Sequence, residues 1–156
     1  MPDISMLERR EIQAPLAACI IRGFSTVLGD KKALEIAAWA IAGDAEAAGK
    51  KAAQTFDGNT LRELGRVVRE LWAADGALTV HFLEETGRRL RFDVVRCRYA
   101  ELYDRLGVRD LGMCLSCSRD EPFLRGFNPR IRMTRTQTVM EGAEACDFVF
   151  EIVEMQ

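Results

Sequence analysis

A chain of 156 residues, 48% hydrophobic and 29% charged, fits one globular domain with a sizeable core. Its net charge of −2 gives no global field to draw in nucleic acid or acidic lipid, and no run approaches the roughly 20 apolar residues of a membrane span. The first residues lack the basic-then-apolar order of a secretory signal, and an odd set of five cysteines argues against a disulfide scaffold, so a cytoplasmic setting with free or metal-bound thiols is expected.

The first half reads as helices. Residues 4–13 form a polar helical start. Pro15 suits the first turn of a following helix, which places Leu16, Ile20, Phe24, Val27 and Leu28 near one face and stops at Gly29. Asp30 is placed to cap a second helix carrying Leu34, Ala37, Trp39 and Ile41 and running to about Gly49. Thr60 and Glu63 match a capping box ahead of a third helix with Leu61, Leu64, Val68, Leu71 and Trp72 at helical spacing, ended by Asp75-Gly76.

The period then changes to two. Leu78, Val80 and Phe82 alternate with Thr79, His81 and Leu83; Leu90, Phe92 and Val94 alternate with Arg89, Arg91 and Asp93. A turn over 84–88 with Gly87 left-handed joins them, pairing Phe82 with Leu90, Val80 with Phe92, Leu78 with Val94 and His81 with Arg91. Tyr99 to Leu106 is a short helix stopped by Gly107. The last segment predicts a second hairpin, with strands over 130–139 and from Cys146 onward around the turn Glu141-Gly142. The expected fold is α+β: a single domain over 1–156, with N-terminal helices (about 1–75) packed on a four-stranded antiparallel sheet made of two hairpins (about 76–156).

The second hairpin puts Arg135 and Cys146 on its apolar side, within a residue or two of opposition. A guanidinium there needs an internal carboxylate, Asp120 or Asp147, or a bound anion such as a substrate carboxylate. Cys114 and Cys117 form a CxxC without the second CxxC or histidine pair of a zinc knuckle, and without the βαβ setting of a thioredoxin-like pair. The single histidine, His81, falls on the solvent face. Cys97, Cys117 and Cys146 lie at chain ends that tend to converge. Three thiolates there would hold a zinc with an open position or an iron–sulfur cluster with an open iron. Cys19 reads as a packing residue. Without a neighbouring histidine, a cysteine nucleophile needs arginine charge to lower its pKa, with Asp120 or Asp147 moving the proton.

Taken together, Cys97-Arg98-Tyr99 ahead of a helix ending at Gly107, Cys117-Ser118-Arg119-Asp120, and Arg135-Thr136-Gln137-Thr138 with Gly142 leading to Cys146-Asp147-Phe148 resemble the L-2-amino-thiazoline-4-carboxylic acid hydrolase family. The stretches E-R-R-E-I-Q-A-P-L and L-G-D-K-K-A-L-E-I are similar to it as well, so the resemblance spans nearly the whole chain. It implies ring-opening hydrolysis of a small cyclic isothiourea to N-carbamoyl-cysteine, and it singles out Cys97, Cys117, Asp120, Arg135 and Cys146; Cys114 stands outside the pattern.

Three readings follow. The first is a hydrolase for a cyclic amidine or amide bearing a carboxylate. In it Arg135 clamps the carboxylate, Cys117, with Cys146 beside it, attacks or helps hold a water-activating metal, and Asp120 moves the proton. The second is a metal or iron–sulfur protein ligated by Cys97, Cys117 and Cys146. The third is a non-enzymatic small-molecule-binding module. A sheet edge left free also suits a homodimer. Nucleic-acid binding is disfavoured, because acidic residues are interspersed with the arginines of the first hairpin and its aromatics face the core.

Overall fold

The computed structural model describes residues 3–154. Two long helices, α1 (Met6–Leu28) and α2 (Asp30–Thr55), precede α3 (Leu61–Val67), which runs into a π-helical turn, Val68–Trp72. Then come β1 (Leu78–Glu85), β2 (Arg89–Cys97), α4 (Arg98–Arg105), α5 (Gly112–Leu115), α6 (Asp120–Phe127), β3 (Ile131–Thr134) and β4 (Cys146–Ile152). The four strands make one antiparallel sheet in the order β1-β2-β4-β3. The α+β expectation, N-terminal helices on a sheet of two hairpins, holds.

Residues 4–13 and 16–28 are one helix, not two. Ser5 caps it through a capping box with Glu8, and Pro15 lies inside it. The faces are also reversed relative to the sequence reading. Ala14, Ala18 and Ile21 are buried, while Leu16, Ile20, Phe24, Val27 and Leu28 are 47–80% exposed. Small side chains let α1 approach its neighbours closely, so the alanine face wins the core and the larger stripe faces outward. In α2, Gly29 rather than Asp30 is the N-cap, and the helix continues past Gly49 to Thr55.

Gly49 and Gly126 mark the tightest approach in the molecule. A Cβ on Gly49 would overlap the Phe123 carbonyl oxygen, and one on Gly126 would overlap the Glu46 carbonyl oxygen. The backbones of α2 and α6 therefore touch through paired glycines, which holds α6 close against α2.

Leu90, Phe92, Val94, Phe148 and Phe150 form the inner face of the sheet, packed on α3 and α6, with Phe92 stacked on Phe148 at 4.9 Å between ring centroids. The hairpin faces match the sequence reading but the register is slipped. Phe82 pairs with Phe92, Val80 with Val94 and Leu78 with Cys97, across two irregularities. His81, exposed, opposes Asp93 rather than Arg91. In the turn, Thr86 rather than a left-handed Gly87 does the work: its hydroxyl accepts from the backbone N–H of Arg88 and Arg89.

The predicted strand over 130–139 stops at Thr134. Residues 135–145 form a loop instead, which is secured near its start and at its middle. Asp147 accepts from the backbone N–H of Thr136 at 2.8 Å and of Gln137 at 3.0 Å. Arg109 donates to the carbonyls of Met140 at 3.0 Å and Val139 at 2.8 Å. Side-chain demands of this kind outbid a longer β-ladder.

Candidate active site

A cavity of about 130 Å3 opens between α1, α2, the π-helical turn, α6 and the inner face of the sheet. That is close to the ~150 Å3 of an engineered apolar cavity able to hold benzene, so it suits one small ring and its substituents. Most of the wall is apolar, including Leu71, Trp72, Leu78, Val94, Phe123 and Phe148. The π-helical turn carries Leu71 and Trp72 to it, and the Tyr99 hydroxyl donates to the Trp72 carbonyl at 2.9 Å.

Cys97, Cys117, Asp120, Arg135 and Cys146 all line this cavity, so the residues singled out in the sequence are brought together. Cys97 ends β2, Cys117 begins the turn before α6, Asp120 opens α6, and Arg135 and Cys146 are the first residue after β3 and the first of β4. Cys114 is not on the wall, and Cys19 is exposed rather than packed.

Arg135 Nη1 donates to Asp120 Oδ2 at 2.6 Å, Nη2 donates to the Cys117 carbonyl at 3.3 Å, and the guanidinium lies over the Phe148 ring at 5.0 Å. Of the two internal acids, Asp120 is therefore its partner, and Asp147 serves the loop. Both members of the pair are largely buried, with side chains 10% and 19% exposed. Arg135 is thus engaged before any ligand arrives.

Burial pushes the Asp120 carboxyl up from its ordinary 3.8 to about 6, against the pull of Arg135 and, further off, Arg119 and Arg10. A native pKa above the unfolded one favours folding most below about pH 4 and loses that contribution as pH rises through about 6. The shift corresponds to on the order of 3 kcal/mol. Urea unfolding at pH 4 and pH 7 checks it: relative to wild type, Asp120→Asn is expected to gain stability by an amount of that order as pH rises. A pH-independent difference would contradict the shift.

The three thiols are also raised, each chiefly by burial; Cys117 additionally feels the Asp120 charge, with Arg135 opposing. Cys146 Sγ accepts from the Val139 N–H at 3.2 Å. Burial thus disfavours the thiolate, the form in which a cysteine acts as a nucleophile. Among the described residues, no group of three or more His, Cys, Asp or Glu side chains is arranged to hold a metal ion. The expected ligand set Cys97, Cys117 and Cys146 lies along the wall of this one cavity.

Two charged residues on the wall escaped the sequence reading, Arg10 and Arg119. Arg119 pairs with Asp44. Arg10 falls on the same helical face as Ala14, Ala18 and Ile21, at spacings of four, four and three, and that alignment was the available signal.

Fold and cavity together define a class: an α+β domain that surrounds a small, mainly apolar pocket carrying a buried Asp–Arg pair. Within that class the chain belongs to the L-2-amino-thiazoline-4-carboxylic acid hydrolase family, whose model matches residues 9–150. No curated protein matches significantly. Among solved structures, the chain is similar to the crystal structure of the phenol-responsive sensory domain of the transcription activator PoxR with phenol. The TM-score is 0.56 at 12% identity, over 89% of this chain and 73% of that one, a likeness of fold. Among the described residues no helix is long and apolar enough to cross a membrane.

Proposed function

We propose that the protein is a cytoplasmic hydrolase that opens a small cyclic amidine or isothiourea bearing a carboxylate, with Asp120 as the proton-transfer group. The observation that carries this reading is a buried carboxyl, held by Arg135 at 2.6 Å on the wall of a ring-sized cavity, where burial pushes its pKa up to about 6. A general base works best when its pKa lies near the operating pH. Asp120 takes a proton from water as the water oxygen bonds to the ring carbon between nitrogen and sulfur. The C–S bond then breaks, the proton held by Asp120 goes to the departing sulfur, and the proton left on the new hydroxyl passes to the former ring nitrogen as the carbonyl forms. Substrate plus one water gives the open carbamoyl thiol.

Cys117 is the other nucleophile the pocket offers. Burial works against its thiolate, so water is favoured and Cys117 and Cys146 shape the wall. Cys117→Ser is expected to retain at least about a tenth of wild-type kcat, because a thiol that only packs is replaced by a smaller polar group. A loss beyond about 100-fold, with a thiol adduct seen by mass spectrometry, would make Cys117 the nucleophile instead.

The test of the reading is turnover of L-2-amino-thiazoline-4-carboxylate, with release of a thiol followed in time and kcat/KM falling below a pH of about 6 as Asp120 protonates. A second reading, a non-enzymatic sensory pocket, is favoured by the mainly apolar wall and by the fold it shares with a phenol-responsive domain. Saturable phenol binding without turnover of any cyclic substrate would select it.

We also propose that two copies associate through α1. Ile12, Leu16, Ile20, Phe24, Val27 and Leu28 present apolar surface on the order of 700 Å2, near the ~800 Å2 per partner of a standard interface. From Gln13 to Leu28 the only charged residue is Arg22, which is engaged with Asp110 at 3.0 Å. Light scattering is expected to give a dimer for wild type and a monomer for Leu16→Glu with Phe24→Glu; a monomeric wild type would end the idea.

A further inference from the structure

Four charged side chains line the cavity: Arg10, Arg119, Asp120 and Arg135. Their pairing leaves a remainder. Arg135 is bonded to Asp120, and Arg119 to Asp44. Arg10 makes a 2.9 Å hydrogen bond to the neutral amide oxygen of Gln13, and among the described residues it has no carboxylate within salt-bridge distance. It is partly buried, on the face of α1 that meets the core. Its aromatic neighbours, Tyr99 and Tyr103, supply no counter-charge at neutral pH, since burial holds both phenols above their ordinary range.

Burial, with the like charge of Arg119, pulls the Arg10 guanidinium below its usual pKa, as expected where a cation lacks compensation. A guanidinium stays charged under these conditions all the same. The cavity wall therefore carries one guanidinium without a salt-bridge partner, and the fork of N–H donors on Arg10 is engaged only by Gln13.

We propose that Arg10 is the carboxylate-binding residue of this pocket, with Arg135 reserved for holding Asp120. The occupant is then a small ring with one carboxylate: the ring lies against Trp72, Phe123 and Phe148, and the carboxylate meets Arg10. Division of labour between the two arginines follows from geometry. A substrate anion on Arg135 would compete with Asp120 for the same donors, whereas on Arg10 it meets a guanidinium that the more distant Asp44 and Asp120 reach only through space. The inference rests on the cavity being the substrate site proposed above, and α1 thereby becomes part of that site rather than packing alone.

The test uses an unreactive matched pair, thiophene-2-carboxylate and thiophene-2-carboxamide, titrated calorimetrically at pH 7.5 into wild type, Arg10→Gln and Arg10→Lys. Wild type is expected to bind the carboxylate about 10- to 100-fold more tightly than the amide. Arg10→Gln is expected to bring that ratio near one, and Arg10→Lys to retain part of it, with both variants melting within a few degrees of wild type. The proposal is overturned if wild type fails to bind the carboxylate or prefers the amide, or if Arg10→Gln keeps the ratio. Turnover is scored separately: carboxylate preference lost in Arg10→Gln, with no hydrolysis of the thiazoline by wild type, would sink the hydrolase reading and leave Arg10 in place.

Discussion

Asp120→Asn is expected to lower kcat by about 10²- to 10⁴-fold while KM changes less than about threefold, measured on the thiazoline carboxylate. With the carboxyl at about 6, roughly ten molecules in eleven carry the base form at pH 7. Asparagine keeps an oxygen that can accept the Arg135 Nη1 bond, so the wall holds its shape. What it lacks is a site for the proton of the attacking water. Arg135→Gln acts on the same group from the other side. It removes the charge that holds the carboxyl down, so the remaining activity is expected to have its acidic limb displaced to higher pH. A variant active at pH 7 with an unmoved limb would show that Asp120 is not the base.

Gly126→Ala is expected to be the most damaging single substitution away from the cavity. Alanine normally favours a helix over glycine by about 1 kcal/mol. Here its Cβ would overlap the Glu46 carbonyl oxygen, an atom fixed in the hydrogen-bond ladder of α2. Neither helix can yield locally, so α2 and α6 must separate, and the core around Phe123 and Phe127 opens with them. The expected loss is about 3 kcal/mol or more, lowering Tm by about 6–12 °C. Gly23→Ala is the control: nothing lies within 4 Å of its added methyl, so stability is expected to hold or rise. Equal melting of the two variants would show that the helices do not meet through Gly126.

What could be read from the sequence follows from which patterns are degenerate. The Thr60 capping box was legible because two side chains and two N–H groups satisfy each other locally. The sheet faces were legible, but the hairpin register was not. A two-residue slip returns every side chain to the same face, so alternation cannot detect it. The apolar stripe of α1 was assigned to the core because periodicity locates a face without saying what covers it. Here Ala14 and Ala18 win the interior by size. The Arg135–Asp120 pair was foreseen as one of two outcomes, since a buried guanidinium must find an anion. Arg10 was missed because an arginine beside charged neighbours in a helix reads as solvated until the opposing elements are placed. The convergence of three thiols was anticipated, but the burial that raises their pKa values was not, because no spacing encodes it.

The loop over 135–145 has a bearing on descent. Asp147 and Arg109 moor it from outside its own span, while β3 and β4 keep their pairing independently of it. It supplies Arg135 at one end and abuts Cys146 at the other, both on the cavity wall. Substitutions within it can recut one side of the pocket without disturbing the sheet, so the fold can be inherited intact while its chemistry drifts. Relatives that share every strand can for that reason differ in what they take in, and the short segment after β3 is where such divergence has the least to break.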